Sequence, residues 1–228
     1  MTQGIVIQGP TNYYKKIVEN FKDIPNVVWS TWDSEPKENI SYIKNYFPVI
    51  QNPLPEFNGY LNVNYQVHST FSGVEYLAKK GVTEVLKTRG DITISNIKLL
   101  LEKLKGQQLS FIQMCKPGVR TEISYHLEYF HDSHDYPADV IMYGDTELML
   151  NGYNFNIPEF YPIPPESLIA YSLLENMGIK FELNYQHLIN NGITFFLQDC
   201  LDNDIDIFWL KHNHSIVQNT KDKKYYEY

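Results

Sequence analysis

Short apolar runs alternate with amphipathic helical patterns over the first half of this 228-residue chain, and this alternation constrains the fold more than any other feature. Patterns typical of strands lie at residues 4–8, 26–31, 49–51, 82–86 and 108–114. Helical spacing fills the intervals, and the longest helix is predicted over residues 61–80, with Gly81 as its carboxyl-terminal cap. The alternation predicts an α/β fold with a mostly parallel, twisted sheet and helices on both faces.

Length and composition limit the classes of protein that remain. A chain of 228 residues fits one domain, and a net charge of -8 argues against a nucleic-acid partner. The sequence shows no amino-terminal leader and no apolar run long enough to span a bilayer, which predicts a soluble protein without a transmembrane segment. Cys115 and Cys200 are not in a CxxC pair, and we expect buried thiols in a reducing, cytoplasmic location.

The strand predicted at residues 82–86 ends on charged residues. Lys87, Arg89 and Asp91 follow it within the segment LKTRGD. Ligands of open α/β sheets bind beyond the carboxyl ends of the strands, so these cations and this carboxylate are well placed for an anionic ligand or a metal ion. The alternative is a turn in which Asp91 merely caps the helix that begins near Ser95.

Polar residues also follow two other predicted elements. Asn62, Asn64 and Gln66 lie in the first turns of the long helix, where amides can bind phosphate or sugar hydroxyls. Capping by Asn62 and ordinary solvation of the others would explain them equally well. Asp33 follows the strand at 26–31 and is placed either to accept hydrogen bonds from a base or ribose, or to be a solvated loop residue.

Carboxylates in the second half of the chain are candidates for a general base. Asp145 and Glu147 open a short helix after the strand predicted at 136–143, a position that suits either a base or an amino-terminal cap. Asp139 and Glu166 are further candidates. Near the end of the sequence, His212 and His214 would reach a metal ion beside Asp91 if the chain folded back, although surface positions are the simpler expectation.

Six segments in register resemble a known family. VIQGP at 6–10, STWDSE at 30–35, NVNYQVHSTFSG at 62–73 and LKTRGD at 86–91 resemble the WavE family of lipopolysaccharide core synthesis proteins. ADVIMYGDTE at 138–147 and PPES at 164–167 continue the resemblance, which covers about three quarters of the chain. The resemblance implies a glycosyltransferase with the A-type nucleotide-diphospho-sugar transferase fold.

The same resemblance implies roles for individual residues. Gln8, Gly9 and Pro10, together with Thr31 and Asp33, would line the nucleotide end of a pocket. Related folds carry an Asp-x-Asp that holds a divalent ion, Mn or Mg, on the diphosphate; here Arg89 replaces the first acid and Asp91 is the one acid that remains. Arg89 can neutralise diphosphate charge itself.

These features predict an enzyme that moves a sugar from a nucleotide-diphosphate sugar, UDP- or GDP-linked, to a carbohydrate acceptor. We expect residues 1–228 to form a single domain, with a nucleotide-binding half at 1–114 and an acceptor half at 115–228. Two alternatives remain open: a non-catalytic carbohydrate-binding or scaffold protein on the same fold, and a sugar-nucleotide nucleotidyltransferase. The second should have a glycine-rich basic loop after the first strand, and QGPTNYYKK is a poor version of it.

Overall fold

A computed structural model of the protein describes residues 1–115, 135–156, 165–180 and 185–221. In chain order the strands are β1 (Gln3–Gln8), β2 (Val27–Trp32), β3 (Val49–Asn52), β4 (Glu84–Arg89), β5 (Ile92–Ile94), β6 (Leu109–Cys115), β7 (Asp135–Asp145), β8 (Thr194–Phe195), β9 (Ile207–Trp209) and β10 (His214–Ser215). The α-helices are α1 (Tyr14–Phe21), α2 (Lys37–Ile43), α3 (Val63–Lys79), α4 (Ile97–Leu104), α5 (Thr146–Gly152), α6 (Pro165–Asn176), α7 (Tyr185–Asn190), α8 (Leu197–Asp202) and α9 (Ile216–Lys221). A 3-10 turn at Tyr60–Asn62 precedes α3.

The main sheet has the strand order β3-β2-β1-β4-β7-β6-β8. β1 pairs in parallel with β2 and β4, β2 with β3, and β6 with β8. β7 runs antiparallel to its two neighbours, β4 and β6. The predicted mostly parallel sheet is therefore confirmed, with β7 as the reversed strand. Strands from both sides of residue 114 share this one sheet.

Helices cover both faces of the main sheet, as the alternating pattern predicts. One apolar core lies between the sheet and α1, α4, α8 and α9, and the other lies against α3, α5 and α6. β2 is buried along its whole length, which is consistent with its sequence VVWSTW, because that sequence contains no charged residue. On the other face, α3 approaches β1 closely at Gly73, where an added Cβ would lie 2.5 Å from Val6 Cγ1. Gly73 thus sets the distance between helix and sheet.

A small second sheet is the main departure from the predicted architecture. Its order is β10-β9-β5, and both pairings are antiparallel. β5 begins at Ile92, directly after the charged end of β4, where a simple turn into a helix was the expectation. The helix that follows has Asn96 at its N-cap. Asp91 therefore does not cap it, and that alternative is wrong.

None of the helices within the described part of the chain is both long enough and apolar enough to cross a membrane.

Candidate functional site

A pocket of about 490 Å³ opens at the carboxyl ends of β1, β2 and β4. Its volume falls in the range of small-molecule sites. Lining residues come from these strand ends and the loops after them, from the segment between β3 and α3, from the first turn of α3, and from the end of β9 and the chain after it: Gln8, Pro10, Trp32, Leu54, Leu61, Asn62, Tyr65, Gln66, Arg89, Asp91, Trp209 and Lys211.

The position of the pocket follows from the strand order. The chain runs outward from β1 to β2 and β3, and then crosses to the other side of β1 to form β4. Gln8 at the end of β1 and Arg89 at the end of β4 are partners in register across this change of direction. Ligands of open α/β sheets bind in the crevice at such a switch point, outside the carboxyl ends of the strands. The topology thus favours this pocket as the binding site.

Arg89 and Asp91 form a two-pronged ion pair in the pocket. Arg89 Nε donates to Asp91 Oδ1 at 3.0 Å, and Arg89 Nη2 donates to Asp91 Oδ2 at 3.1 Å. Trp209 Nε1 also donates to Asp91 Oδ2, at 2.9 Å, and the Arg89 guanidinium lies 4.9 Å from the centre of a Trp209 ring. Burial alone would raise the pKa of Asp91, but Arg89, Trp209 and Lys211 together hold this pKa below its ordinary value.

A second part of the lining is aromatic and carries amides. Trp32 and Tyr65 meet edge to face with ring centres 4.9 Å apart. Gln66 lies next to them on α3, and its Oε1 is buried without a hydrogen-bond partner among the described residues. Asn62 precedes α3 in a left-handed conformation, with φ 62°, and its side chain makes no capping bond. The pocket therefore has one wall with cations and a second with rings and amide groups.

Gly90 allows the chain after β4 to lie close to the chain after β1, beside the pocket residues Pro10 and Arg89. Its N–H donates to the Gln8 carbonyl at 2.8 Å. A Cβ at this position would lie 2.5 Å from the Pro10 carbonyl oxygen and 3.0 Å from the Trp29 ring. Any other side chain in the middle of the RGD segment would therefore push the loop after β1 away from Arg89.

The segment between β3 and α3 gives the pocket an apolar rim. Leu54 and Leu61 line the pocket although they are 49% and 59% exposed. Leu61 has φ 49°, a left-handed conformation that is unfavourable for a residue with a bulky side chain. The fully buried Asn64 holds this segment, because its side chain donates to the Phe57 carbonyl at 2.9 Å.

Six of the residues predicted from the sequence for nucleotide-sugar binding line the pocket together: Gln8, Pro10, Asn62, Gln66, Arg89 and Asp91. The other five do not. Gly9 is buried and its carbonyl accepts from Trp29 Nε1, while Thr31 is buried within β2. Asn64 supports the loop as described, and Asp33 is exposed beyond β2. Lys87 is fully buried within β4, in register with Val6 and Met142.

Asp145 and Glu147 lie at the end of the main sheet opposite to the pocket, where β4 begins. β7 is antiparallel to β4, so Asp145 is paired with Glu84 at the start of β4, five residues before Arg89. Five residues of strand span about 16 Å. Asp145 Oδ1 accepts from the backbone N–H groups of Glu147 and Leu148 at 2.9 and 3.1 Å. Asp145 thus caps α5, and its predicted place beside the pocket is corrected, as is that of Glu147.

The two remaining candidate bases are placed by the backbone. Asp139 falls in β7 and Glu166 in α6, and their side chains lie outside the described part of the chain. His212 and His214 are close to the pocket in sequence but do not line it; their rings stack on each other at 5.8 Å.

The carboxylate of Asp91 does not fit the predicted role of a metal ligand. Both of its oxygens already accept hydrogen bonds from Arg89 or Trp209, and an ion bound there would face the guanidinium. Across the residues that the structure describes, no three His, Cys, Asp or Glu side chains come together as a metal-binding group. Asp91 fits the role of counter-ion to Arg89.

Sequence reasoning missed the aromatic residues and the last wall of the pocket. Trp32 and Tyr65 are adjacent in sequence to predicted site residues. Their positions at the end of a predicted strand and in the first turn of a predicted helix could have marked them as pocket residues. No local signal pointed to Trp209 and Lys211, because β9 reaches the pocket by pairing with β5, more than a hundred residues earlier in the sequence.

A comparison with family models and with curated proteins gives no match for this sequence. Among solved structures, the chain is similar to a cytidylyltransferase from Leptospira borgpetersenii, with 15% identity, a TM-score of 0.46 and coverage of 86% of this chain and 76% of that one. It is also similar to core-mannan synthase A from Aspergillus fumigatus in its Mn/GDP form, with 8% identity, a TM-score of 0.42 and coverage of 91% and 74%. With similarity this low, function has to be inferred from the pocket of this chain.

Proposed function

We propose that the protein is a glycosyltransferase that takes a sugar from a nucleotide-diphosphate donor and transfers it to a carbohydrate acceptor. The observation that carries this proposal is the pocket at the switch point between β1 and β4, with Arg89 among its lining residues. Such pockets bind nucleotides in open α/β sheets, and a guanidinium matches the geometry of phosphate oxygens.

The charge of the pocket supports an anionic ligand. Its described lining contains two cations, Arg89 and Lys211, and one carboxylate, Asp91. The chain as a whole carries a net charge of -8, so this pocket is positive against an acidic background. A local positive potential attracts a diphosphate and stabilises the negative charge that develops on the leaving group.

The second wall supports recognition of the uncharged parts of the donor. The rings of Trp32 and Tyr65 offer apolar surface on which a base or a sugar ring can pack. Asn62 and Gln66 offer both donors and acceptors to hydroxyl or base groups. We propose that this wall binds the nucleoside or the sugar, while Arg89 and Lys211 bind the phosphates.

A non-catalytic protein that binds the same ligand is the second candidate. Transfer to a hydroxyl requires a base for its proton, and Asp91 is the sole carboxylate among the described lining residues. Because Asp91 is paired with Arg89, it is poorly suited to accept that proton. A nucleotidyltransferase has less support, since the chain after β1 contributes Pro10 to the pocket and no basic side chain among the described residues.

Calorimetric titration and a transfer assay test these candidates together. The purified protein is titrated with UDP, GDP, CDP and ADP, with their sugar conjugates, and with the matching triphosphates. We expect saturable binding of at least one diphosphate and its sugar, and release of the free diphosphate when a carbohydrate acceptor is added. Binding without release would favour the non-catalytic candidate, preference for triphosphates would favour nucleotidyl transfer, and no binding would contradict the proposal.

A further inference from the structure

We infer that the pocket binds the diphosphate of its ligand without a divalent ion, with Arg89 as the fixed cation and Asp91 as the positioning residue that holds it. The inference rests on the proposed function, since it concerns how the same pocket holds its ligand. It differs from the expectation that Asp91 carries a metal ion on the phosphates.

The first step is the geometry of the carboxylate. Asp91 Oδ1 accepts from Arg89 Nε, and Oδ2 accepts from both Arg89 Nη2 and Trp209 Nε1, all within 3.1 Å. Arg89 and Asp91 side chains are 25% and 12% exposed, so the pair is largely shielded from water. Three of the roughly four acceptor sites of the carboxylate are thus used, and a metal ion at the remaining site would lie beside a guanidinium, which opposes its binding.

The second step is the support that this ion pair receives from the small sheet. The backbone N–H of Leu210 donates to the Asp91 carbonyl at 2.8 Å, and Trp209 and Ile92 are partners in register between β9 and β5. The indole of Trp209 then lies against the guanidinium, 4.9 Å from its carbon. Asp91 is therefore held through its backbone and its side chain, and the plane of Arg89 is set by two hydrogen bonds and one ring.

The third step is the charge available to a diphosphate. Arg89 is flanked by the Asp91 carboxylate on one edge, and Lys211 adds a second cation from the segment that carries Trp209. The described lining thus has a positive balance before any ion is added. A divalent ion on substrate phosphates is usually held by one or two carboxylates whose charge is not already neutralised by a neighbouring cation. In this pocket the one carboxylate of the described lining, Asp91, is already paired with Arg89.

The test compares nucleotide affinity with and without metal ions. The diphosphate that binds most tightly among UDP, GDP, CDP and ADP is titrated into the full-length protein in EDTA, and again with Mn²⁺ or Mg²⁺ in excess. We expect the two dissociation constants to agree within about threefold, a difference of less than 1 kcal/mol. Mn²⁺ titrated without nucleotide should show no saturable binding.

Two variants of Arg89 test whether its guanidinium holds the diphosphate. In EDTA, Arg89→Gln should weaken diphosphate binding by about tenfold or more, because it removes charge-assisted hydrogen bonds. Arg89→Lys keeps the positive charge but loses the planar guanidinium that can bind two phosphate oxygens at once. The diphosphate affinity of this variant should therefore fall between that of the wild type and that of Arg89→Gln. Asp145→Asn, altered at the far edge of the sheet, is the matched control and should bind as the wild type does.

Three results would overturn the inference, and they are distinguishable. If metal ions tighten binding by more than about tenfold and Asp91→Asn abolishes that gain, Asp91 is a metal ligand and the diphosphate is held through the ion. If none of the four diphosphates binds in either buffer, the proposed function itself fails, and the inference falls with it. Equal affinity of Arg89→Gln and the wild type in EDTA would remove Arg89 from the phosphate site.

Discussion

Asp91 links the charge of the pocket to the stability of the chain. Its folded pKa lies below its ordinary value because Arg89 and Trp209 outweigh the opposing effect of burial. A carboxyl group with a lowered folded pKa stabilises the protein above its unfolded pKa of about 3.9, and this stabilisation is lost as the pH falls through the folded pKa.

Asp91→Asn should therefore lower the free energy of unfolding at pH 7 and have a smaller effect at the most acidic pH at which the protein still folds. The amide keeps the shape of the side chain but turns one acceptor into a donor, which in either orientation faces a donor of Arg89 or Trp209. Urea unfolding at a series of pH values measures the difference. Asp33→Asn, in an exposed position, is the control. If the loss in the free energy of unfolding caused by Asp91→Asn does not become smaller at acidic pH, charge pairing with Arg89 is not its cause.

Gly90→Ala should lower stability by about 1–3 kcal/mol, the usual cost of forcing an extra carbon into packed structure. The new Cβ would meet the Pro10 carbonyl oxygen at 2.5 Å, and backbone has to move to relieve that contact. Thermal unfolding and diphosphate affinity should both change, since Pro10 and the neighbouring Arg89 line the pocket. Unchanged values of both would mean that the loop after β1 moves without cost.

At the scale of elements, α5 begins with a cap that has no part in the pocket. Asp145→Ala should cost about 0.5–2 kcal/mol of stability, because the N–H groups of Glu147 and Leu148 lose their acceptor. Diphosphate affinity should stay unchanged. The measurement is urea unfolding beside calorimetric titration of the same variant, and a large loss of affinity would place α5 near the ligand after all.

The elements that the sequence predicted well are those with a clear local pattern. Apolar periodicity and Gly81 located α3, and β-branched runs located β1 and β2. A strand at β4 was also predicted, but it runs three residues beyond its predicted end and includes Lys87 and Arg89. β5 was missed because a strand of three residues has too few positions to show alternation. Its pairing with β9 depends on residues far away in the sequence, which local propensity does not report.

The same difference between local and distant information explains which residues the sequence placed correctly in the candidate site. Gln8, Arg89 and Asp91 end predicted strands, and the rule for parallel sheets brings their ends to one edge. Asp145 also ends a strand, but β7 runs in the opposite direction and delivers it to the other edge. Neither residue type nor spacing reveals the direction of a strand that follows a long connection.

At the scale of the whole molecule, the rate at which the buried thiol of Cys200 is alkylated measures how readily the core opens. Burial raises the pKa of its thiol to about 12, with smaller contributions from Asp199 and Asp206. In a Cys115→Ala variant, alkylation at pH 8 should therefore be slow in the folded protein and follow its unfolding. Mass spectrometry across a urea series tests this. Rapid alkylation without denaturant would show that α8 opens independently of the main sheet.

Trp209 and the carboxylate it contacts are 118 residues apart. On the ribosome, the strands that carry Gln8, Trp32 and Arg89 are made long before the indole that closes their pocket. A nascent chain can thus assemble β1 to β4 while Asp91 still lacks its last hydrogen-bond donor. Competence to hold a ligand should appear only once residue 209 has been made, and a messenger RNA cut short before that codon should yield a chain with most of its main sheet and no finished site.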